Sequence, residues 1–280
     1  MVKSLKKYFP VFVLPTLVAF LIAFVVPFFL GLYLSFCKFT TVTDARWVGF
    51  RNYRNIFLDN SFTSSLLFST VFTVINVVLI NLLAFAIAYA LTRGLRGSYF
   101  FRTIFFMPNL IGGIVLGYIW QIIFNGLLAR FSLTLTSNMK FGFWGLVILS
   151  NWQLIGYMMV IYIAGLQTIP RDLVDAALVD GATHLQGLRH VMLPMMMPSI
   201  TINLFLTLTN SFKMFDQNLA LTNGAPANET RMLALNIYDT FYARMGWEGV
   251  GQAEAVIFFL IVAVISMTQL YLTRRNEVDA

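Results

Sequence analysis

The sequence predicts an all-α, polytopic membrane protein with six transmembrane helices, and three observations support that fold class. Hydrophobic residues make up 59% of the 280 positions and charged residues only 11%, whereas a soluble domain carries roughly a quarter charged residues. The chain contains six long runs without Asp, Glu, Lys, Arg or His. A single segment in hydrocarbon can satisfy its own backbone hydrogen bonds only as a helix. We therefore expect membrane-spanning helices throughout.

The six uncharged runs define the predicted spans. Each is long enough for the roughly 20 apolar residues with which a helix crosses a bilayer core. They cover residues 11–37, 66–92, 103–129, 141–170, 191–212 and 255–273. The first run follows a basic start, but it is too long for the roughly 7–15-residue core of a signal peptide. We interpret it as a retained helix.

Six crossings place both termini on one side, and the basic residues indicate which side that is. Ten Lys and Arg residues, among them Lys3, Lys6 and Lys7, fall on the side of the termini, and nine fall on the other. The ten lie in shorter segments beside helix ends, where the positive-inside rule gives them most weight. The termini are therefore predicted to be cytoplasmic. We interpret the net charge of +7 as membrane orientation, and we expect no nucleic-acid binding because no segment interleaves basic and aromatic residues.

Residues 1–280 contain no linker and no internal repeat, so we predict a single transmembrane domain. A turn cluster at 222–226 and a short helix at 232–241 are expected before the last span. Ordinary loop packing is the alternative for these segments. A helix lying near the interface is predicted after the first span, because apolar residues recur at helical spacing. These residues are Trp47, Phe50, Tyr53, Ile56 and Phe57, and ordinary loop packing is the alternative for this segment as well.

The segment 170–194, between the fourth and fifth spans, predicts two short helices. Pro170 suits a first-turn position, where its missing N–H costs nothing, and Gly181 suits the position just past a helix end. Thr183 and Gln186 have the spacing of a capping box, so a second helix is expected there. Small residues on one side of the first helix permit close approach by a partner. Two interpretations remain open: a hairpin that transmits movement from a partner protein, and an amphipathic loop at the lipid surface.

The same segment resembles the EAA motif of ABC-importer permeases. The acidic-Ala-Ala, Gly, aliphatic and Leu-Pro positions of that motif match, at its spacing, Asp175, Ala176, Ala177, Gly181, Val191, Leu193 and Pro194. One departure is Asp175, which is Glu in most of that family and has a shorter side chain here. The resemblance implies that the loop docks onto an ATPase subunit. The coupling residues that it implies are Asp175, Ala176, Ala177, Asp180, Gly181, Leu193 and Pro194.

The resemblance extends over nearly the whole chain. Residues 47–53, 164–170 and 215–226 resemble the permeases of di- and oligosaccharide importers. The resemblance implies a sugar as the substrate and the cell membrane of a prokaryote as the location. It also implies three kinds of partner: a second, homologous permease that completes a heterodimer, cytoplasmic ABC ATPase subunits that bind ATP and Mg²⁺, and an extracytoplasmic sugar-binding protein.

Polar and aromatic residues within the apolar runs are candidates for the substrate site. Polar residues are costly in hydrocarbon and usually face the protein interior or a wet cavity. Amides and hydroxyls can bond to sugar hydroxyls, and aromatic faces can pack on a pyranose. Interhelical hydrogen bonding is the alternative; the resemblance to sugar permeases favours a pocket on the fourth and fifth spans. The polar and aromatic candidates are Asn109, Asn151, Trp152, Tyr157, Thr207, Asn210 and Ser211; Gly156 and Met214, the latter just beyond the fifth run, are included with them.

The chain is predicted not to be an enzyme and to obtain its driving force from a partner. It has no G-x-x-x-x-G-K-[ST] phosphate loop, and its uncharged runs lack the acidic or His residues of proton-driven carriers. His184 and His190 have no metal-ligand spacing, so we expect no metal or cofactor on this chain. Lys213 and Asp216 are interpreted as a local ion pair. Two alternatives remain: an ABC permease for another neutral solute, and a self-sufficient secondary transporter coupled to sodium.

Overall fold

The computed structural model describes residues 2–275, with the side chains of Phe9 and of residues 11–275. The side chains of Lys3, Lys6 and Lys7, on which part of the orientation argument depends, lie outside this description. Helices form most of the described chain, which confirms the all-α class. Two strands of two residues each occur in it, β1 (Cys37–Lys38) and β2 (Arg46–Trp47), and they pair antiparallel.

The first span is a nearly continuous helix. It comprises α1 (Val2–Phe20), a π-helical turn (Leu21–Val25) and α2 (Val26–Leu34). Pro27 lies just after the π turn, and a proline cannot donate the hydrogen bond to the carbonyl four residues earlier. Such a missing bond is a common cause of a local change in helical pitch.

The amphipathic helix predicted from Trp47 begins later than expected. After a 3-10 turn (Val42–Asp44), Trp47 belongs to β2, and the helix α3 covers Arg51–Leu58. Gly49 has a φ of +60°, a left-handed conformation that ends regular structure. The prediction of one helix containing Trp47 and Phe50 was therefore wrong, because the chain turns between them.

The second run forms one uninterrupted helix, whereas the third run is broken. The helix α4 (Asn60–Thr92) has 33 residues and begins six residues before the predicted span. The third run was predicted as one span with a break at Met107-Pro108-Asn109, and it is divided there into α5 (Ser98–Phe106), a 3-10 turn (Met107–Leu110) and α6 (Gly113–Leu128). The break follows from Pro108, which lacks an N–H, and from the extended backbone of Ile111 and Gly112.

The fourth run forms a single long helix, whereas the fifth is bent. Two 3-10 turns (Ala129–Phe131 and Leu135–Ser137) precede α7 (Met139–Gln167). The following segment comprises α8 (Arg171–Val179), α9 (His184–Gly187), a π turn (Leu188–Met192), α10 (Leu193–Met195) and α11 (Met197–Phe212). The axes of 184–195 and 197–212 differ by 72°. Pro194 and Pro198 flank the bend, and neither can donate a helical hydrogen bond.

The last part of the described chain contains α12 (Asp216–Leu221), α13 (Leu233–Tyr242) and α14 (Glu248–Arg274). The predicted helix at 232–241 is confirmed by α13. The sixth span begins seven residues before its predicted start and includes Glu254, which is buried. The predicted uncharged run itself, residues 255–273, contains no carboxylate. Within the described residues, five helices are long and apolar enough to cross a membrane, and the bent pair supplies a sixth when counted as one span.

The described residues fall into two compact units. The first comprises residues 2–62 and 237–259, and the second comprises 63–236 and 260–275. The prediction of a single domain is not tested by this division and stays a prediction.

The first unit contains a small core around Leu34, Cys37 and Phe39. The Asn52 side chain is buried there and donates hydrogen bonds of 2.8 Å to the carbonyls of Ser35 and Cys37. Asp59 is paired with Arg244. Partial burial raises the pKa of Asp59, but bonds from the Ser61 N–H and from Arg244 outweigh that effect, so its pKa lies below the ordinary value.

The second unit contains the candidate site. Its core consists of α4, α7 and α11, with buried side chains in two clusters, one around Ile80, Met158 and Met159 and one around Phe72 and Leu146.

Candidate functional site: an amide-lined cavity and a polar helical hairpin

A buried polar network holds α4 against α7 and α11. Its centre is Asn76 of α4, whose amide donates to the hydroxyls of Ser150 (2.8 Å) and Ser211 (2.9 Å). The Asn76 carbonyl accepts a bond of 2.9 Å from the Asn151 amide. Asn76, Ser150 and Ser211 have no exposed surface. Two of the candidate substrate residues, Asn151 and Ser211, therefore form interhelical hydrogen bonds.

A second polar group on α4 makes a similar set of bonds. The Asn81 amide donates to the Thr207 hydroxyl at 3.0 Å, and its carbonyl accepts from the Tyr162 hydroxyl at 2.6 Å. Thr207 is fully buried and also donates to the carbonyl of Asn203. The candidate Thr207 thus belongs to the helix-packing network. Asn76 and Asn81 were not among the predicted residues, although an amide in an apolar run is a signal that could have identified them.

A cavity of about 310 Å³ lies beside this network. Four carboxamides, one phenol, one ammonium group and two apolar side chains line it. They are Asn109, Gln153, Asn210 and Gln217, then Tyr157, Lys213, Leu154 and Met214. The cavity brings together four predicted substrate residues, namely Asn109, Tyr157, Asn210 and Met214. Leu154 and Gln217 were not singled out from the sequence; Gln217 lies beyond the end of the fifth uncharged run.

The break in the third run gives the cavity part of its wall. Asn109 lies in the 3-10 turn after Pro108, and the carbonyl of Ile111, which is free of a regular helix, accepts a bond of 3.2 Å from Gln153. Gln153 in turn accepts a bond of 2.8 Å from Gln217. One wall of the cavity is therefore a chain of hydrogen bonds from the broken span through α7 to α12.

Close backbone contacts bring these elements together. A Cβ atom on Gly156 would lie 1.8 Å from the carbonyl oxygen of Phe105, so only glycine permits α5 to approach α7 there. The candidate Gly156 therefore has a packing role beside the cavity. Trp152 is 44% exposed, stacks edge-on with Trp120 at 5.6 Å between ring centroids, and does not line the cavity.

Lys213 and Asp216 do not form the predicted ion pair. Both side chains are described, and no salt bridge joins them in the described part of the chain. Lys213 lines the cavity instead. The cavity therefore has one cationic group among its amides, which the sequence interpretation did not anticipate.

The segment 170–194 forms the predicted helical hairpin. Pro170 precedes the first helix as its N-cap, with a ψ of 128°, and is not in its first turn as predicted. Gly181 has a φ of +86° and follows the helix end, as predicted. The capping box is present: Thr183 accepts from the Gln186 N–H, and the Gln186 side chain accepts from the Thr183 N–H.

The hairpin presents mixed polar and apolar side chains. Four large apolar residues on it are between 40% and 87% exposed: Leu173, Leu178, Val179 and Leu185. Of the coupling residues implied by the EAA resemblance, Asp175, Ala176, Asp180 and Gly181 are exposed, and Ala177, Leu193 and Pro194 are partly buried. Asp175 also borders a cavity of about 370 Å³ that Arg93, Arg171 and His184 line with it.

The bent and broken helices, the hairpin and the polar cavity define a polytopic membrane component of a transport system. Residues 84–278 match the family described as "Binding-protein-dependent transport system inner membrane component". The match covers more than half of the chain, so the chain belongs to this family. It is a membrane-embedded transport component with several spans.

Two sequence relatives cover nearly the whole chain. The "Probable starch degradation products transport system permease protein AmyD" of Thermoanaerobacterium thermosulfurigenes is 44% identical over 96% of this chain and 94% of its own. The "Multiple sugar-binding transport system permease protein MsmF" of Streptococcus mutans is 33% identical over 99% of both chains. Both are permease proteins by name.

A solved structure has the same fold. It is a chain of a bacterial ABC transporter involved in the import of the acidic polysaccharide alginate, with a TM-score of 0.81 over 98% of each chain and 20% identity. The prediction of an ABC-importer permease architecture is confirmed.

Proposed function

We propose that this chain is one transmembrane subunit of an ATP-binding-cassette importer and that it moves a sugar, of the di- or oligosaccharide class, into the cytoplasm. The observation on which the substrate class depends is the cavity of four amides and a tyrosine, because such groups match the donors and acceptors of sugar hydroxyls. The two relatives named for starch degradation products and for multiple sugars support the same class.

The cavity suggests a division of roles among the predicted substrate residues. Direct sugar contacts are assigned to Asn109, Tyr157, Asn210 and Met214, with Gln153 and Gln217 added from the cavity wall. The remaining candidates act by positioning: Asn151, Thr207 and Ser211 hold the helices together, and Trp152 and Gly156 shape the surroundings.

The energy comes from partner subunits in this proposal. ATP and Mg²⁺ belong to cytoplasmic ATPase subunits, a second homologous permease completes a heterodimer, and a sugar-binding protein delivers substrate from outside. The hairpin at 170–194 faces the cytoplasm together with both termini. Docking would bury its exposed apolar residues and transmit ATPase closure to α7 and α11 as a rigid-body movement between inward-open and outward-open states.

Reconstitution tests this assembly. The chain is co-expressed with its neighbouring genes, purified in detergent, and reconstituted into proteoliposomes with and without internal ATP and external binding protein. We expect an ATPase with a phosphate loop and a second six-helix permease to co-elute, and labelled maltotriose to enter only when both ATP and binding protein are present. Uptake by the isolated chain without ATP would refute the proposal in favour of a secondary transporter.

The hairpin has its own test, Gly181→Val. A β-branched residue at a φ of +86° introduces strain of about 1–2 kcal/mol and should displace the two hairpin helices from each other. We expect ATP hydrolysis to continue while the amount of sugar transported per ATP falls, with normal membrane insertion. Gly187→Ala is the matched control, since a Cβ there meets no atom within 4 Å. Unchanged coupling in the Gly181→Val complex would contradict the docking role.

The position of Lys213 in the cavity wall supports a second candidate substrate, an acidic sugar. Its ammonium group lines the cavity without a carboxylate partner in the described chain, and an anionic group on the substrate would be that partner. The Lys213→Gln variant separates the two candidates. If the substrate is acidic, uptake of a uronic-acid oligosaccharide falls and that of a neutral one does not. If the substrate is neutral, the wild-type complex transports only the neutral sugar.

A further inference from the structure

An apolar groove of about 470 Å³ runs between α4 and α7, away from the substrate cavity. The two helices run in the same direction here, since Phe68 contacts Phe143 and, two turns further on, Asn76 contacts Ser150. The residues that line the groove are Ser64, Leu67, Phe68, Val71, Ile75, Met139, Lys140, Phe143, Trp144 and Glu229.

The groove has the depth of one membrane leaflet. On α4 it extends from Ser64 to Ile75, twelve residues whose ends lie about 16 Å apart at the helical rise of about 1.5 Å. Half of a bilayer core is about 15 Å. Leu67, Val71 and Ile75 follow one another at intervals of four residues and so form a continuous apolar wall.

The floor of the groove is preformed. Phe143 packs edge-on against Phe68, with ring centroids 5.7 Å apart, and against Phe72 at 6.2 Å. Phe68 and Phe72 are buried. Leu67 and Val71 stand beside this floor with 65% and 45% of their surface exposed, so the groove is open to an elongated apolar ligand.

Opposite charges lie at one end of the groove only. Lys140 is in the first turn of α7, Glu229 belongs to the loop before α13, and both are exposed. No ion pair joins these two groups in the part of the chain that the structure describes. Trp144, one turn beyond Lys140, is half exposed, and Trp is the residue type enriched at membrane–water interfaces.

We propose that this groove binds one phosphatidylethanolamine molecule. The lipid phosphate lies at Lys140, its ammonium group at Glu229, and one acyl chain along the wall of Leu67, Val71 and Ile75. A zwitterionic headgroup complements the two unpaired charges together, whereas an anionic lipid would satisfy Lys140 and be repelled by Glu229. The site is separate from the sugar cavity, so this inference does not depend on the substrate.

Native mass spectrometry of the complete purified complex tests the site. The complex is reconstituted in nanodiscs of phosphatidylethanolamine, phosphatidylcholine or phosphatidylglycerol, released, and its retained lipids are counted. We expect Lys140→Glu and Val71→Trp each to remove one retained phosphatidylethanolamine per complex, the first by charge and the second by filling the groove. Arg130→Glu is the matched control, because Arg130 is an exposed cation outside the groove.

The Glu229→Gln variant tests the headgroup preference of the groove more directly than the two variants above. It should shift the preference from phosphatidylethanolamine towards phosphatidylglycerol by up to about fivefold, the range of exposed ion pairs, while the number of retained lipids stays the same. A single cysteine, Val71→Cys in a Cys37→Ser background, identifies the occupant by cross-linking. Equal lipid retention in Lys140→Glu, Val71→Trp and wild type would overturn the proposal. So would cross-linking of the cysteine to the partner permease, which would show that protein covers the groove.

Discussion

Two groups of carboxamides in the second unit differ in what satisfies them. Asn76 is fully buried and uses both N–H groups and its carbonyl in bonds to α7 and α11. Asn210 is exposed to the cavity and makes no side-chain hydrogen bond in the described chain. An amide whose partners are all within the protein holds helices together, whereas an amide with unused donors and acceptors is available to a ligand. We therefore propose that this difference separates the amides that hold helices together from those that bind the substrate.

The substitution with the largest expected effect is Asn76→Leu. It leaves Ser150, Ser211 and Asn151 without their common partner in a buried site. Interhelical hydrogen bonds contribute about 0.6 kcal/mol on average and up to about 1.7 kcal/mol, so the loss of three should lower the free energy of unfolding by about 2–5 kcal/mol. Thermal unfolding of the complex in detergent measures this loss.

Ser150→Ala provides the graded control for Asn76→Leu. It removes one of the three bonds and should cost about 1 kcal/mol or less. In a double-mutant cycle the two substitutions should be non-additive, because they share a bond. A normal melting temperature for Asn76→Leu together with lost sugar uptake would contradict the structural role, and would place Asn76 among the binding residues.

The spans could be predicted from the sequence, whereas the irregularities within them could be predicted only in part. Long uncharged runs must be helical in hydrocarbon, and five helices plus one bent pair agree with the six runs. The bend at Met196 and the break at Ile111 occur beside prolines that are visible in the sequence. Their positions follow from missing N–H groups, but the 72° angle depends on packing that no local pattern encodes.

The residues of the candidate substrate cavity, like the irregularities within the spans, could be predicted from the sequence only in part. Asn210, near the end of α11, and Met214, two residues after that helix, were both candidates from the sequence, and both line the cavity. Thr207 and Ser211 lie on the same helix as Asn210 yet contact α4. Their role depends on which helix packs against that part of α11, which is a tertiary property that the sequence pattern does not encode.

Gly156→Ala should have the second-largest effect. Its Cβ would meet the backbone of Phe105 at 1.8 Å, and a backbone atom cannot rotate away as a side chain can. Overpacking of this kind costs about 1–3 kcal/mol. We expect a lower melting temperature and reduced uptake, although no cavity residue is changed. The matched control is Gly126→Ala, at a helical site where a Cβ meets nothing within 4 Å. Equal stability of both variants would show that α5 can move away from α7 without cost.

Asn210→Leu should have the smallest effect on stability and a selective effect on transport. The side chain has no protein partner to lose in the described chain. The free energy of unfolding should therefore change by less than about 0.5 kcal/mol, and the melting temperature should stay close to that of the wild type. If Asn210 bonds to a sugar hydroxyl, the loss of about 0.5–1.5 kcal/mol should reduce kcat/KM for uptake by about two- to tenfold. Thr209→Val is the control, since its hydroxyl bonds only within α11 and lies outside the cavity. A melting temperature as low as that of Asn76→Leu would remove the distinction between the two amides, because a satisfied and an unsatisfied side chain would then contribute equally to helix packing.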